Sequence, residues 1–170
     1  LYTYAFAYCS MKYLYLGNFG LTNPSTFYNC NQLEDVNMGY APWTGTFSNC
    51  TKLRRVWVRN GYYVAASAFN NCSSLAMFRA RYLSYVSQSA FYNCKNLSVI
   101  YLSGYSSGYS IGTGAFTNTP ITNSTFLGYY GSIYVPSSYV SSYKAKWTAY
   151  SNRITEVKQE IIDMFEEPYE

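Results

Sequence analysis

Apolar positions in this chain follow a compound rhythm. Phenylalanines stand at 6, 27, 47, 69, 91 and 116, at intervals of 21, 20, 22, 22 and 25 residues, and cysteines at 9, 30, 50, 72 and 94 follow the first five by three. The central copies read TFYNCNQLEDVNM, TFSNCTKLRRVWV, AFNNCSSLAMFRA and AFYNCKNLSVIYL. The first, AFAYCSMKYLYL, is one residue shorter after its cysteine, and the sixth, AFTNTP, has Thr119 in the cysteine's place before leaving the pattern. Each full copy is therefore Phe-x-x-Cys-x-x-Leu-x-x-apolar-x-apolar. The closing alternation has the period of a short strand with one buried face. Phe-x-x-Cys fits one helical turn with both side chains on one side. Neither piece can bury its apolar side alone. The repeat thus predicts a solenoid in which successive copies stack and their strands form one parallel sheet.

Stacking sorts the strand residues into two faces. Inward are Met11, Leu14 and Leu16, then Leu33, Val36 and Met38, then Leu53, Val56 and Val58, then Leu75, Phe78 and Ala80, then Leu97, Ile100 and Leu102. The residues between and beside them point out onto a concave surface, in columns across strands about 4.8 Å apart. The candidate binding residues there are Tyr13, Tyr15, Asn37, Arg55, Trp57, Arg59, Arg79, Arg81 and Tyr101. Trp57 is expected beside Asn37 and Arg79, with Tyr101 one strand further. Arg79 over Trp57 would be a cation–π pair worth about 0.5–1 kcal/mol when exposed. Arg59 and Arg81 are expected as adjacent like charges, mildly unfavourable for folding. The core positions repeat from copy to copy while this face changes at every copy, as in a scaffold that carries an interaction surface. Trp, Tyr and Arg are also the types most enriched in interface hot spots. The same residues equally suit a solvated strand surface. A second candidate is the set of descending loops, GYAPWTGT (39–46), NGYYVAAS (60–67) and SGYSSGYS (103–110), whose Tyr, Ser, Gly and Asn are the vocabulary of antibody binding loops.

The AFxxCxxLxxVxL pattern over about residues 3–120 resembles the BspA-like leucine-rich repeats of bacterial surface proteins. IYVPSSYVSSYKAKWTAYSNRI, residues 133–154, resembles the module that closes many such arrays. The resemblance implies an α/β fold, a right-handed leucine-rich-repeat solenoid with a short parallel strand and a short helical turn per repeat and a C-terminal helical cap. It also implies a bacterial cell-surface or secreted protein that adheres to a host protein or glycan. The residues of the closing segment read as a lid in their own right. Ile133 and Val135 make a last strand, Pro136, Ser137 and Ser138 start a helix, and Val140, Tyr143, Trp147 and Tyr150 share one face. The chain accordingly divides into an array of about five and a half repeats of 20–25 residues (1–132), a cap (133–154) and an acidic amphipathic helical tail (155–170). The tail puts Ile154, Val157, Ile161 and Phe165 on one stripe and Pro168 at its end. It is expected either to pack on the cap or, preferably, to begin a following helical segment. The chain opens at Leu1 without a methionine and reads as an excised fragment, whose exposed first repeat offers a surface for end-to-end stacking of two copies.

Composition refines this picture. Aromatics make up 21% and charged residues 12%, with 22 tyrosines and no histidine, so low charge comes with ample material for a core. Charge is asymmetric: residues 1–154 carry 11 basic and 2 acidic side chains, and residues 155–170 carry 1 and 6. A basic body fits an acidic protein surface or an anionic glycan, and arginine beside aromatics also suits nucleic acid, which ranks behind them. Five cysteines at equivalent positions are expected as a buried ladder of free thiols, small apolar fillers rather than disulfides or metal ligands. Asn29, Asn49, Asn71 and Asn93 before them are expected to end the helical turn or to bond a neighbouring loop's backbone. Without histidine the commonest general base is missing. The only acids of the array, Glu34 and Asp35, are adjacent and would point to opposite faces of a strand, not at one another. No phosphate loop or nucleophile motif is present. The expectation is a non-enzymatic binding module without cofactor or metal, with a structural spacer or terminal module of a larger surface or phage-tail protein as the alternative.

Overall fold

The computed structural model describes residues 2–20, 23–104, 110–122 and 131–166. The strands are β1 (Tyr13–Leu16), β2 (Asp35–Met38), β3 (Arg55–Val58), β4 (Tyr63–Val64), β5 (Met77–Ala80), β6 (Tyr85–Val86), β7 (Val99–Leu102), β8 (Ser110–Ile111) and β9 (Ser132–Val135). They are followed by α1 (Val140–Lys146), β10 (Ile154–Glu156) and α2 (Gln159–Glu166). The principal sheet runs β1-β2-β3-β5-β7-β9-β10, and every pairing in it is parallel. This is the α/β leucine-rich-repeat solenoid that the periodicity requires. A second parallel sheet, β4-β6-β8, lies on the descending side, so the segment read as the loop NGYYVAAS contains a strand. Two-residue strands carry too little alternation to announce themselves in sequence. Of the neighbouring SGYSSGYS stretch, residues 105–109 lie outside the described residues.

Each repeat contributes one rung to several ladders. The phenylalanine rings stack from Phe6 through Phe27, Phe47, Phe69 and Phe91 to Phe116 with centroids 5.3–5.6 Å apart and planes within 6–11°. The strand residues assigned inward are fully buried from the second repeat onward. All five cysteines are free thiols. Cys30, Cys50, Cys72 and Cys94 each donate to the carbonyl of the phenylalanine one repeat earlier, at 3.1–3.2 Å. Thr119 keeps the buried rung by turning its hydroxyl to Phe116 O, 2.8 Å away.

The Phe-x-x-Cys segment is not the helical turn that its spacing suggests. In each repeat the residues two before and two after the phenylalanine have φ between 52° and 66°: Tyr4 and Tyr8, Ser25 and Asn29, Gly45 and Asn49, Ser67 and Asn71, Ser89 and Asn93, Gly114 and Asn118. These left-handed residues break a helix at once, and Asn is the non-glycine type that tolerates them best. The freed N–H groups bond forward to the next repeat, as Ser25 to Thr44 O, Phe27 to Thr46 O and Asn29 to Ser48 O, all at 2.9 Å. The asparagine side chains do not bond loop backbone, as their position suggested. They bond one another, Asn71 to Asn49, Asn93 to Asn71 and Asn118 to Asn93, at 2.7–2.9 Å.

The far end is closed by a non-repeating lid. After a 3-10 turn at Ser137–Tyr139, α1 buries Tyr143, whose hydroxyl donates to Gly104 O at 3.1 Å, and Trp147 follows it into the core. Tyr150 meets Phe116 edge-on at 5.3 Å and so ends the ring stack. Ile154 joins β10, paired in parallel with β9, and is not part of the tail's helical stripe. The tail meets the cap first, where Thr155 and Glu156 extend β10 beside β9 and the Val157 N–H donates to Val135 O at 2.8 Å. From β10 it folds back, and α2 lies across the concave face with Val157, Ile161, Ile162 and Phe165 against Met77, Val99, Tyr101 and Tyr134. Pro168 lies outside the described residues.

Candidate functional site

The strand register lines up the concave columns as expected. Tyr15, Asn37, Trp57, Arg79, Tyr101 and Tyr134 form one column across β1, β2, β3, β5, β7 and β9. Tyr134 belongs to it because IYV alternates like the strands before it, a signal the repeat motif alone does not carry. Tyr13, Asp35, Arg55, Met77, Val99 and Ser132 form the column beside it.

These columns do not make one continuous surface. Helix α2 divides them. Toward the C-terminal end Tyr101 is only 6% exposed, with the Phe165 ring 6.0 Å away and itself only 4% exposed. Toward the N-terminal end Tyr13 is 56% and Tyr15 65% exposed. Tyr13, Leu14, Tyr15 and Asn37 line an apolar hollow of about 120 Å³.

Arg79 sits where the two halves meet. Its guanidinium lies 4.5 Å from the Trp57 ring, 5.1 Å from Tyr101 and 5.9 Å from Phe165. Three ring faces around one cation favour it electrostatically. Its Nε and Nη1 are nevertheless buried with no hydrogen-bond partner among the described residues. Arg59 turns the other way. Its Nε donates to Asn37 Oδ1 at 3.1 Å and its Nη2 to Tyr15 Oη at 2.8 Å, with the guanidinium over the Tyr15 and Trp57 rings at 5.0 and 5.7 Å. Arg81 instead stacks on Tyr82 at 5.1 Å. Of the like charges expected side by side, Arg59 lies over Tyr15 and Trp57 and Arg81 over Tyr82, so each cation has an aromatic face of its own.

The acids of the array are engaged as well. Asp35 accepts from Arg55 Nε at 2.9 Å, and Glu34 pairs with Arg54. Among the described residues no group of three or more His, Cys, Asp or Glu side chains could hold a metal ion. Cys9, Cys30, Cys72 and Cys94 are weak nucleophiles. Burial and the neighbouring Cys30 thiol push Cys9 up to about 11, burial pushes Cys72 and Cys94 further up, and Cys30 is raised by its hydrogen bond with Cys50 and by burial. A thiol so held is almost wholly protonated at neutral pH and reacts slowly. No helix among the described residues is long and apolar enough to cross a membrane.

The descending side offers a second hollow, of about 250 Å³. Gly20, Tyr40, Ala41, Trp43, Asn60, Tyr62 and Tyr63 line it, and Trp43 meets Tyr63 edge-on at 6.3 Å. The loop residues named in the sequence therefore do converge, at its N-terminal half.

A search of curated proteins and one of solved structures find no match to this chain. A family model described as BspA type leucine rich repeat region matches in 6 copies over residues 1–41 and 43–144, and the chain belongs to that family.

Proposed function

We propose that this chain is a non-enzymatic binding module of a bacterial surface or secreted protein, and that the open N-terminal half of its concave face contacts a protein partner. The observation that carries this reading is the internally braced cluster of exposed Tyr13 and Tyr15 with half-buried Trp57 and Arg59. Arg59 is held by Asn37 and Tyr15 before any ligand arrives. Side chains already fixed lose little entropy on binding, which leaves more of the contact energy as affinity. Rings and a guanidinium standing together at the mouth of an apolar hollow have the chemistry of a hot spot. The basic sign of the array suits a partner with an acidic surface.

The test is binding of the purified chain to arrayed host extracellular proteins and to glycans, at low and at physiological salt, beside Tyr15→Ala and Arg59→Ala. A protein ligand that loses about tenfold or more in affinity in either variant supports the reading. A glycan ligand lost in the same variants keeps the site and changes the partner class. Binding that collapses with salt for any polyanion points instead to phosphate-type contacts. The hollow on the descending side favours one other reading, recognition through the loops. It predicts a ligand insensitive to Tyr15→Ala and lost with Trp43→Ala.

A further inference from the structure

The C-terminal half of the concave face is a groove with a helix in it. Met77, Val99, Tyr101 and Tyr134 form its floor, and Phe165 seals it. This small apolar cluster is separate from the main core, which runs through the phenylalanine and leucine ladders. The solenoid is closed at this end by Tyr143, Trp147 and Tyr150 without any help from α2. Removing α2 from the groove therefore leaves the array and its lid intact.

Several features mark α2 as loosely held. It has eight residues, and helices shorter than about 12–15 residues are marginal in water, so it is helical because the groove folds it. Its last turn carries Asp163 and no basic residue, which opposes the helix dipole. Its Glu160 and Asp163 side chains face solvent, and the contacts described between helix and sheet are apolar or aromatic. The seat is also incomplete. Arg79 Nε and Nη1 lie buried beneath it with no hydrogen-bond partner among the described residues, where a carboxylate would make a short, charge-assisted pair.

We propose that this groove is a docking site for an amphipathic helix of a partner protein, filled in the resting chain by its own α2. The matching helix carries bulky apolar residues in the order of Ile161, Ile162 and Phe165, at i, i+1 and i+4, with one more ahead of its first turn in the place of Val157. Its outer face is acidic, like that of α2. A carboxylate within reach of Arg79 Nε and Nη1 gives the incoming helix a contact that no described residue makes, and this lets it displace a segment tethered at an effective concentration on the order of millimolar. Docking and release are coupled to folding and melting of α2, so the groove switches as a unit. The open half of the face can fail as a binding site without affecting this proposal.

The experiment uses a fluorescent peptide with the sequence of residues 154–170 as the probe. The full chain carrying Ile161→Lys and Phe165→Lys frees the groove by placing charge on the buried face of α2. The peptide is expected to bind this variant saturably and to bind the unaltered chain at least about tenfold more weakly, since α2 competes there. Adding Tyr101→Ala to the freed variant should abolish binding. Absence of binding to a freed variant that retains the cooperative unfolding of the parent would overturn the proposal, as would equal binding to both proteins. Hydrogen exchange on the unaltered chain gives a check that needs no variant. Amides of α2 should exchange far faster than those of β5 and β7, and equal protection would overturn the proposal by making α2 a fixed part of the fold.

Discussion

The two ends of the solenoid start from the same motif and finish in different states. At the N-terminal end Phe6 is 42% exposed, and Cys9, Met11, Leu14 and Leu16 are only partly covered. In the middle, the equivalent Phe69, Cys72, Leu75, Phe78 and Ala80 are buried. At the C-terminal end the sixth repeat has lost its cysteine, yet Phe116 and Thr119 are fully buried because α1 and Tyr150 close over them. Burial is therefore a property of having a neighbour on each side, and only secondarily of the motif. The concave face repeats the lesson. Tyr15 and Tyr101 occupy the same column, and one is in water while the other lies under Phe165.

The largest expected effect comes from deleting the same ring in two places. Phe69→Ala removes a ring stacked on both sides, by Phe47 and Phe91, and touched edge-on by Phe78. It should cost about 3–5 kcal/mol. Phe6→Ala removes a ring stacked on one side only, against Phe27, and should cost about 1 kcal/mol. Urea unfolding of both variants checks the ratio, and equal losses would break the comparison between ends and middle.

A smaller effect separates backbone conformation from side-chain bonding. Asn71 has φ 61° and both donates to Asn49 and accepts from Asn93. Asn71→Ala loses the ladder and strains the left-handed residue, for about 1–2 kcal/mol in all. Asn71→Gly loses only the ladder and should recover about half of that. At the open end Tyr8 has φ 59° without an asparagine side chain, and it is largely exposed. Tyr8→Gly should therefore leave stability unchanged within about 0.5 kcal/mol. Thermal melts of the three variants sharpen the contrast.

The smallest effect is alkaline. A raised thiol pKa means that the folded state holds its proton longer than the unfolded chain. The resulting stability is complete below about pH 9 and is lost as pH rises through about 11 for Cys9. Cys9→Ala should flatten that decline relative to the parent chain, measured as urea midpoints from neutral pH upward. At neutral pH, a thiol reagent should label Cys9 first. Cys50, Cys72 and Cys94, being buried, should follow only at the rate of unfolding.

Legibility in the sequence follows the periodicity. The inward positions from Leu33 to Leu102 and the pairing of Asn37, Trp57 and Arg79 could be written down beforehand, because a one-residue slip would turn every buried side chain to water. The direction of Arg59 could not. A long side chain chooses among acceptors and rings brought near by other strands, here Asn37 and Tyr15, the latter 44 residues away in sequence. The left-handed turns were legible only in part. The asparagines marked them, but Ser25, Ser67 and Ser89 take the same conformation without a distinctive residue type. The sheet β4-β6-β8 is not legible in the sequence, because strands of two residues are defined by their partners rather than by their own pattern.

The tail shows the boundary most clearly. Its amphipathic stripe is written in Val157, Ile161 and Phe165, so the sequence by itself determined that these residues would seek an apolar surface. It determined the stacking of the repeats in the same way, since each copy's apolar side recurs in phase and is matched by that of the next copy. Which surface the tail would take was decided only in the tertiary structure. β10 pairs beside β9 and delivers the chain to the last rungs of the concave face, where Val99 and Tyr101 stand uncovered by any repeat. A stripe on a short helix specifies an apolar partner but not a place, and the place is set by where the preceding strand ends.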